Sequence, residues 1–181
     1  MVQTLELTAH PARPPVTVTG ITARVVSLDA EWLRLRWRIE GAQALVAPPF
    51  AGRGRADELW KTTCFELFVR DGEGPGYAEF NLSPSERWNA YHFSDHRAGM
   101  EELPLPREPD CTLRQGSSFA IFDAAIPAIG LFAGSPEIGL SAVIEEQGGT
   151  VSLWALAHPP GDPDFHAPAC FAAALPPPKA P

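Results

Sequence analysis

The sequence contains few sulfur-bearing residues. Of its 181 residues only three are cysteine and two are methionine. Cys64, Cys111 and Cys170 are odd in number, widely spaced and free of any C-x-x-C pair. That pattern argues against a disulfide framework and against a structural zinc site. We therefore expect three reduced thiols and a cytoplasmic protein.

Positive charge is also scarce. Fourteen Lys and Arg residues stand against 22 Asp and Glu residues, which gives a net charge of -8. Nucleic acids and anionic membranes both need a positively charged surface on their partners, so we expect neither as a partner. The first twenty residues contain no uninterrupted apolar core, which predicts no signal peptide and no membrane span.

Proline and glycine, in contrast, are abundant. Twenty prolines and fifteen glycines indicate many turns and few long helices. An apolar content of 45% is ordinary for a globular protein. We expect an all-β domain over residues 1–175, followed by a disordered proline-rich tail over residues 176–181. We expect the protein to be a monomer or a weak homodimer.

The stretch Trp60–Met100 contains the clearest pattern. Two β-rich runs, Thr62–Arg70 and Tyr77–Ser83, flank a loop of Asp, Gly, Glu and Pro, which predicts a hairpin. One register makes one face wholly apolar, and a slip of one residue would mix the two faces. That register predicts Glu66 to be buried or half-buried, with Asn81 as its cross-strand neighbour. The predicted pairs are Phe65–Leu82, Glu66–Asn81, Leu67–Phe80, Phe68–Glu79 and Val69–Ala78.

A third run, Trp88–Phe93, extends this hairpin. Setting Phe80 opposite Tyr91 enlarges the apolar face and places Glu79 opposite His92. The other face then carries polar groups and an indole. Two interpretations stay open: a hydrogen-bonded polar layer inside the protein, or a ligand-binding surface. The polar face is predicted to contain Glu66, Glu79, Asn81, His92 and Trp88.

A second hairpin is predicted from Ile138–Glu146 and Val151–Ala157, joined by a Gly-Gly turn. With Gln147 opposite Thr150, Trp154 and His158 point to the polar side. Before these strands, Trp32–Glu40 alternates apolar and polar residues and predicts a half-buried strand. The apolar side of the sheets is predicted to include Phe65, Leu67, Phe80, Leu82, Tyr91, Ile144 and Leu153.

Several segments together resemble a known family. The strings KTTCFELFV, YAEFNLSPSERWNAYHF, GLSAVIE, LWALAHP and PDFH are similar to DOMON-like domains of the carbohydrate-binding module family 9 superfamily. The resemblance covers roughly Leu59 to Phe171. It implies a jelly-roll-like β-sandwich of two antiparallel sheets, with a ligand site on one face or rim. Members of the superfamily bind sugars or haem, and many bacterial stand-alone members have no assigned ligand.

From the residues and the resemblance together we predict a non-catalytic carbohydrate-binding protein. Indole rings stack on the apolar face of a sugar, while carboxylates and amides bind its hydroxyls. Trp60 is a further stacking candidate, although tryptophans of a sandwich more often lie in the core. The predicted ligand-binding residues are Glu66, Glu79, Asn81, Trp88, His92, Trp154, His158, Asp164 and His166.

Three alternatives accompany this prediction. Non-covalent haem b would need two axial ligands, such as Met100 with a histidine (His92, His96, His158 or His166). A glycoside hydrolase would use Glu66 and Glu79, which are diagonal neighbours on the order of 7 Å apart. Asp164, His166 and His92 would suit a divalent metal. The motifs G-x-S-x-G and H-E-x-x-H are absent, so no cofactor, metal or catalytic residue is assigned.

Overall fold

The strands account for nearly all of the regular structure. The computed structural model describes residues 3–128 and 130–178, and residues 179–181 of the predicted tail lie outside the described residues. Within these ranges there is no α-helix, and no helix long and apolar enough to cross a membrane. Short 3-10 turns span Ala42–Ala44, Leu59–Lys61, Gly130–Phe132 and Pro168–Cys170. The strands are β1 (Thr4–Ala9), β2 (Gly20–Leu28), β3 (Trp32–Glu40), β4 (Gly54–Arg55), β5 (Cys64–Arg70), β6 (Tyr77–Leu82), β7 (Arg87–Phe93), β8 (Glu101–Glu102), β9 (Asp110–Gln115), β10 (Phe119–Pro127), β11 (Glu137–Glu146), β12 (Thr150–Ala155) and β13 (Ala173–Ala174).

The strands form one curled, mixed sheet, so the prediction of an all-β protein is confirmed. Their order is β4-β7-β6-β5-β11-β12-β1-β2-β3-β10-β9, with β13 beside β11 and β8 beside β7. The β4–β7 pair is parallel and the other pairs are antiparallel. Residues 4–7 of β1 pair with β2, and residues 8–9 pair with β12. Strand β1 therefore connects the two halves of the sheet, which we had predicted as two separate sheets.

The core lies where the two halves of the sheet face each other. Phe65 of β5 stacks on Phe122 of β10 with ring centroids 4.1 Å apart, and Trp37 of β3 lies 5.6 Å from Phe65. The alternation predicted for β3 is confirmed, because Leu33, Leu35, Trp37 and Ile39 are all buried. Each such side chain contributes roughly 1.5–3 kcal/mol through its burial.

The register of the central hairpin is also confirmed. Phe65 pairs with Leu82 and Glu66 with Asn81, as predicted. Phe65 and Phe80 both belong to the main core. Glu66 is buried on the opposite face.

The predicted register of β7 is wrong by one residue. Glu79 pairs with Tyr91, and Leu82 pairs with Trp88. The turn sets this register, because the Ser83 N–H donates to the Arg87 carbonyl oxygen across a left-handed residue, Glu86 (φ 68°). Trp88 therefore lies on the core side, and Tyr91 on the opposite side.

The predicted register of the second hairpin is wrong by one residue as well. Glu146 pairs with Thr150, because Gly148 and Gly149 adopt positive φ angles of 96° and 86° and the Gly149 N–H donates to the Glu146 carbonyl. The connection thus contains three residues, where we had predicted two. Consequently Trp154 points into the core and Leu153 points to the other face.

Candidate functional site

A cleft of about 390 Å³ opens on the face of β11, β5, β6 and β7 that is turned away from the core. Loops that precede β5 and follow β7 and β12 form its walls. Three of the predicted site residues line it: Glu66, Glu79 and His166. The lining residues are Trp60, Glu66, Glu79, Tyr91, Phe93, Arg97, Met100, Val143, Leu153, Pro163, Phe165 and His166.

Two carboxyl groups lie on the floor of this cleft. Glu66 and Glu79 are only 3% and 5% exposed. The Ser141 hydroxyl donates to Oε2 of Glu66 at 2.8 Å. Burial, followed by the negative charge of Glu79, raises the pKa of Glu66 to about 8. Glu66 is therefore a hydrogen-bonding acid at neutral pH.

Glu79 has fewer partners than Glu66. Burial raises the pKa of Glu79 to about 7, and the positive charge of Arg97 opposes part of this rise. Among the described residues, no donor lies within hydrogen-bond geometry of its carboxyl group. The nearest is Nε2 of His166, which lies 3.7 Å from Oε2.

His166 forms the adjoining wall. The rings of Phe68, Tyr77 and Phe93 lie 5.1–5.6 Å from its ring, approximately edge-on. Burial, together with the charge of Arg97, lowers the pKa of His166 to about 4. The imidazole is therefore neutral at physiological pH.

The hydrogen bonds of Tyr77 indicate the tautomer of His166. The Tyr77 hydroxyl accepts from the backbone N–H of Arg97 at 3.1 Å and lies 2.6 Å from Nδ1 of His166. If the Tyr77 hydroxyl donates to an unprotonated Nδ1, the hydroxyl proton has an acceptor. The ring proton is then on Nε2, directed towards Glu79.

Asp164 joins two of the loops that form the cleft. It accepts from Nε2 of His96 at 2.7 Å and from Nε and Nη2 of Arg97 at 3.0 and 2.7 Å. It also accepts from the backbone N–H of His166 at 3.1 Å. Burial alone would raise the pKa of Asp164, but these hydrogen bonds hold it below its usual value. Asp164 therefore positions Arg97 and His166, and is not itself among the lining residues.

Aromatic and thioether side chains complete the opening. Trp60 is 39% exposed and Met100 is 51% exposed. Trp60 belongs to a 3-10 turn that follows a left-handed residue, Glu58 (φ 59°). The Tyr91 hydroxyl donates to Asp57 at 2.6 Å, which fixes its ring on the wall. The cleft thus combines an aromatic rim with an acidic floor.

Asn81 of β6 is fully buried, between its cross-strand neighbours Glu66 on β5 and Asn89 on β7. Neither its amide nitrogen nor its amide oxygen has a hydrogen-bond partner among the described residues. Its neighbour Asn89 does have partners, because it accepts from Arg55 at 2.7 Å and donates to Asp57 at 3.1 Å. An unpaired buried amide is costly, so a partner for Asn81 would stabilise the protein.

The structure places four of the predicted site residues away from the cleft. Trp88 lies in the core with the Arg55 guanidinium 4.3 Å from its ring. Trp154 also lies in the core and donates to the Ser152 hydroxyl at 2.9 Å. His92 pairs with Ala78 and is exposed on the other side of β7. His158 lies beside β1, with Nε2 2.8 Å from the Thr8 carbonyl oxygen.

The alternative arrangement of Asp164, His166 and His92 around a metal ion does not form. His92 is separated from Asp164 and His166 by its position on the opposite side of the sheet. In the part of the chain that the structure describes, no three His, Cys, Asp or Glu side chains converge to hold a metal ion.

Several lining residues were not predicted from the sequence. The one-residue register errors in β7 and β12 placed Tyr91 and Leu153 in the predicted apolar core. The same errors placed Trp88 and Trp154 on the predicted polar face. Arg97 and Phe165 lie in loops, where no periodicity indicates direction. The string PDFH thus supplies Phe165 to the cleft in addition to the predicted His166.

Comparison with family models and with curated proteins finds no match. Among solved structures, a candidate carbohydrate-binding protein from Bacteroides uniformis is similar, with 16% identity and a TM-score of 0.62, covering 94% of this chain and 83% of that one. A carbohydrate-binding module of family 9 from Caldicellulosiruptor kristjanssonii, in complex with cellotriose, has 7% identity and a TM-score of 0.53 over 87% of this chain and 75% of that one. Its complex with glucose gives 6% identity and 0.52 over 82% and 71%. At such identities the likeness shows the fold.

Proposed function

We propose that the cleft binds a small carbohydrate and does not convert it chemically. The observation that carries this proposal is the aromatic rim above a floor of two buried carboxyl groups, Glu66 and Glu79. A sugar has an apolar ring face that stacks on aromatic side chains and hydroxyls that bind carboxyl groups. The volume of about 390 Å³ lies within the range of small-molecule sites.

The fold supports the same function. The structural neighbours from Caldicellulosiruptor kristjanssonii bind cellotriose and glucose. Fold alone does not determine function, so the chemistry of the cleft must carry the assignment. A sandwich-like, DOMON-like module with its ligand on the polar sheet face is the specific form that we propose. The cytoplasmic location stays a prediction from the free thiols.

The same carboxyl pair supports a second candidate, glycoside hydrolysis. Glu66 and Glu79 lie diagonally on adjacent strands, at a separation on the order of 7 Å, which suits that reaction. A glycosidase needs one ionised carboxylate beside one acid. Here burial raises the pKa of both groups, and among the Lys, Arg and His side chains of the described residues only the neutral His166 lies within 4.0 Å of either carboxyl, so no fixed cation keeps one of them ionised. We therefore favour binding over catalysis.

The residues do not fit haem. Met100 and His166 both line the cleft, as an axial pair would require. However, Nδ1 of His166 is hydrogen-bonded to the Tyr77 hydroxyl, and Nε2 lies 3.7 Å from the carboxyl group of Glu79. Neither ring nitrogen is therefore free to bind iron. Two buried acids on the floor would also lie against an apolar macrocycle at a high cost in free energy. We assign no step to haem.

Calorimetric titration with glucose and cellotriose tests the proposal. We expect binding that Trp60→Ala weakens by about 5- to 150-fold, since a stacked ring and its contacts contribute roughly 1–3 kcal/mol. Trp32→Ala is the matched control, because Trp32 is partly exposed on β3 in the other half of the sheet. Release of aryl alcohol from aryl glycosides, lost in Glu66→Gln, would instead establish the hydrolase. Absence of both binding and turnover would refute both candidates.

A further inference from the structure

The acidic groups of the cleft floor lack paired cations. Glu66 and Glu79 are each more than nine-tenths buried. Arg97 lines the cleft, but two of its nitrogens bind Asp164, so its charge is already balanced. His166 is neutral, since it lies among aromatic rings. Within the described residues, no other Lys, Arg or His side chain lies within 4.0 Å of either glutamate carboxyl.

The second observation is that the carboxyl group of Glu79 is unpartnered. It is 5% exposed, it lines the cleft, and none of the described residues donates a hydrogen bond to it. Buried acceptors normally have donors, and leaving one without a donor is costly. The carboxyl group of Glu79 lines the cleft, and the unpartnered Asn81 amide on the same strand is not in hydrogen-bond geometry with it, so water or a ligand in the cleft can supply the donor. A ligand group with several N–H donors would serve both Glu79 and its neighbour Glu66.

The walls favour a cation at the same place. Tyr91 is the cross-strand neighbour of Glu79, and Phe93 follows two residues later on the same strand and face. Aromatic ring faces attract ammonium groups, more strongly when water is excluded. A hydroxyl group would gain only the hydrogen bond, whereas a nearby ammonium group would also favour ionisation of a floor carboxyl group and pair with the resulting charge.

We propose that the preferred ligand is an amino sugar with a free amine, whose ammonium group lies between Glu66, Glu79 and the ring of Tyr91. This inference rests on the proposed carbohydrate function and specifies its ligand class. The amine supplies three N–H donors and a positive charge. An N-acetylated sugar carries an amide in its place and offers one donor and no charge. Neutral and N-acetylated sugars are therefore the weaker ligands.

Calorimetry with glucosamine, glucose and N-acetylglucosamine tests this selectivity. We expect glucosamine to bind the wild-type protein at least about tenfold more tightly than the other two, since hydrogen bonds to charged groups are the stronger class. In Glu79→Gln the three affinities should converge to within about twofold, because the isosteric amide keeps the shape but cannot ionise beside the amine. Glu66→Gln provides a second variant with the same expectation. Glu6→Gln is the control, because Glu6 is exposed on β1, away from the cleft.

Each outcome separates the two proposals. Equal binding of all three sugars by the wild-type protein overturns the amino-sugar inference and leaves carbohydrate binding intact. No binding of any sugar overturns the proposed function itself. A preference for glucosamine that survives both glutamine variants, each shown folded by circular dichroism, overturns the assignment of the amine to these carboxyl groups. Loss of the preference in Glu79→Gln but not in Glu6→Gln supports it.

Discussion

Replacing Glu66 with glutamine should change how the stability of the protein depends on pH. Burial raises the pKa of Glu66 from its ordinary value of 4.5 to about 8 in the folded protein. Between these values the folded state binds a proton that the unfolded state has released. The stabilisation due to Glu66 is therefore fully present below pH 4.5 and is lost as the pH rises through about 8.

The size of this effect follows from the pKa change. One pKa unit corresponds to about 1.4 kcal/mol, so the free energy of unfolding of the wild-type protein should fall by roughly 3–5 kcal/mol between pH 5 and pH 9 through this group. Glutamine does not titrate, and its amide oxygen can still accept from Ser141. Glu66→Gln should therefore match the wild-type protein near pH 5 and exceed it by roughly 3–5 kcal/mol at pH 9. For a chain of this length that is a gain of about 6–20 °C in Tm.

Urea denaturation of the ligand-free proteins at several pH values measures this difference. The other titratable groups that face Glu66 are Glu79, Arg97, His166 and Cys64, and they are present in both proteins. His166 has the opposite effect on the pH dependence. Folding lowers its pKa from 6.5 to about 4, so its contribution to the free energy of unfolding is lost as the pH falls below 6.5. Glu6→Gln should track the wild-type protein to within about 0.5 kcal/mol at every pH. A difference between Glu66→Gln and wild type that does not vary with pH would refute the argument, since Glu66 would then be ionised in the folded protein.

Three further predictions concern the residues around the cleft and the core. Asp164→Asn should weaken the contacts with Arg97 and lower the free energy of unfolding by about 1–3 kcal/mol. Amide hydrogen exchange in residues 94–98 should become faster; unchanged exchange would show that Asp164 does not hold this loop. Trp154→Ala should cost about 3–5 kcal/mol in chemical denaturation, and Trp60→Ala less than about 1 kcal/mol; comparable losses would contradict the core position of Trp154. Glu146 is buried and accepts the backbone N–H groups of residues 16–18, so Glu146→Gln should cost about 2–4 kcal/mol at pH 7. Burial alone would raise the pKa of Glu146, but these hydrogen bonds hold it below its ordinary 4.5, so the difference from wild type should shrink as the pH falls below that value, and a constant difference would contradict this account.

The pattern of alternation was sufficient where one face of a hairpin is wholly apolar. Phe65, Leu67, Phe80 and Leu82 could occupy one side of β5 and β6 in only one register, and that register is observed. The burial and position of Glu66 followed directly. The all-β class likewise followed from turn residues and strand patterns.

The same reasoning failed where large apolar side chains stand on both faces of a strand. Trp88 and Tyr91 lie on opposite faces of β7, and Leu153 and Trp154 on opposite faces of β12, so the pattern of alternation suits either register. The register there depends on the number of residues in the turn, which Glu86, Gly148 and Gly149 determine through positive φ angles. The walls of the cleft were unpredictable for another reason, because loop residues such as Arg97 and Phe165 are placed by tertiary hydrogen bonds and packing.

The role of β1 has a consequence for the order in which the molecule folds. The Thr8 carbonyl contacts His158, 150 residues later, and the loop after β1 is bound by Glu146, 130 residues later. Contacts over such separations form slowly, because the entropy of closing the loop is lost before the contact is gained. At a synthesis rate of about 5–20 residues per second, roughly 8–30 s pass between the synthesis of β1 and that of β12, its second neighbour in the sheet. During that time the edge of β1 that faces away from β2 is unpaired and can pair with other chains. We therefore expect the demand for chaperones to be greatest before β12 has been synthesised.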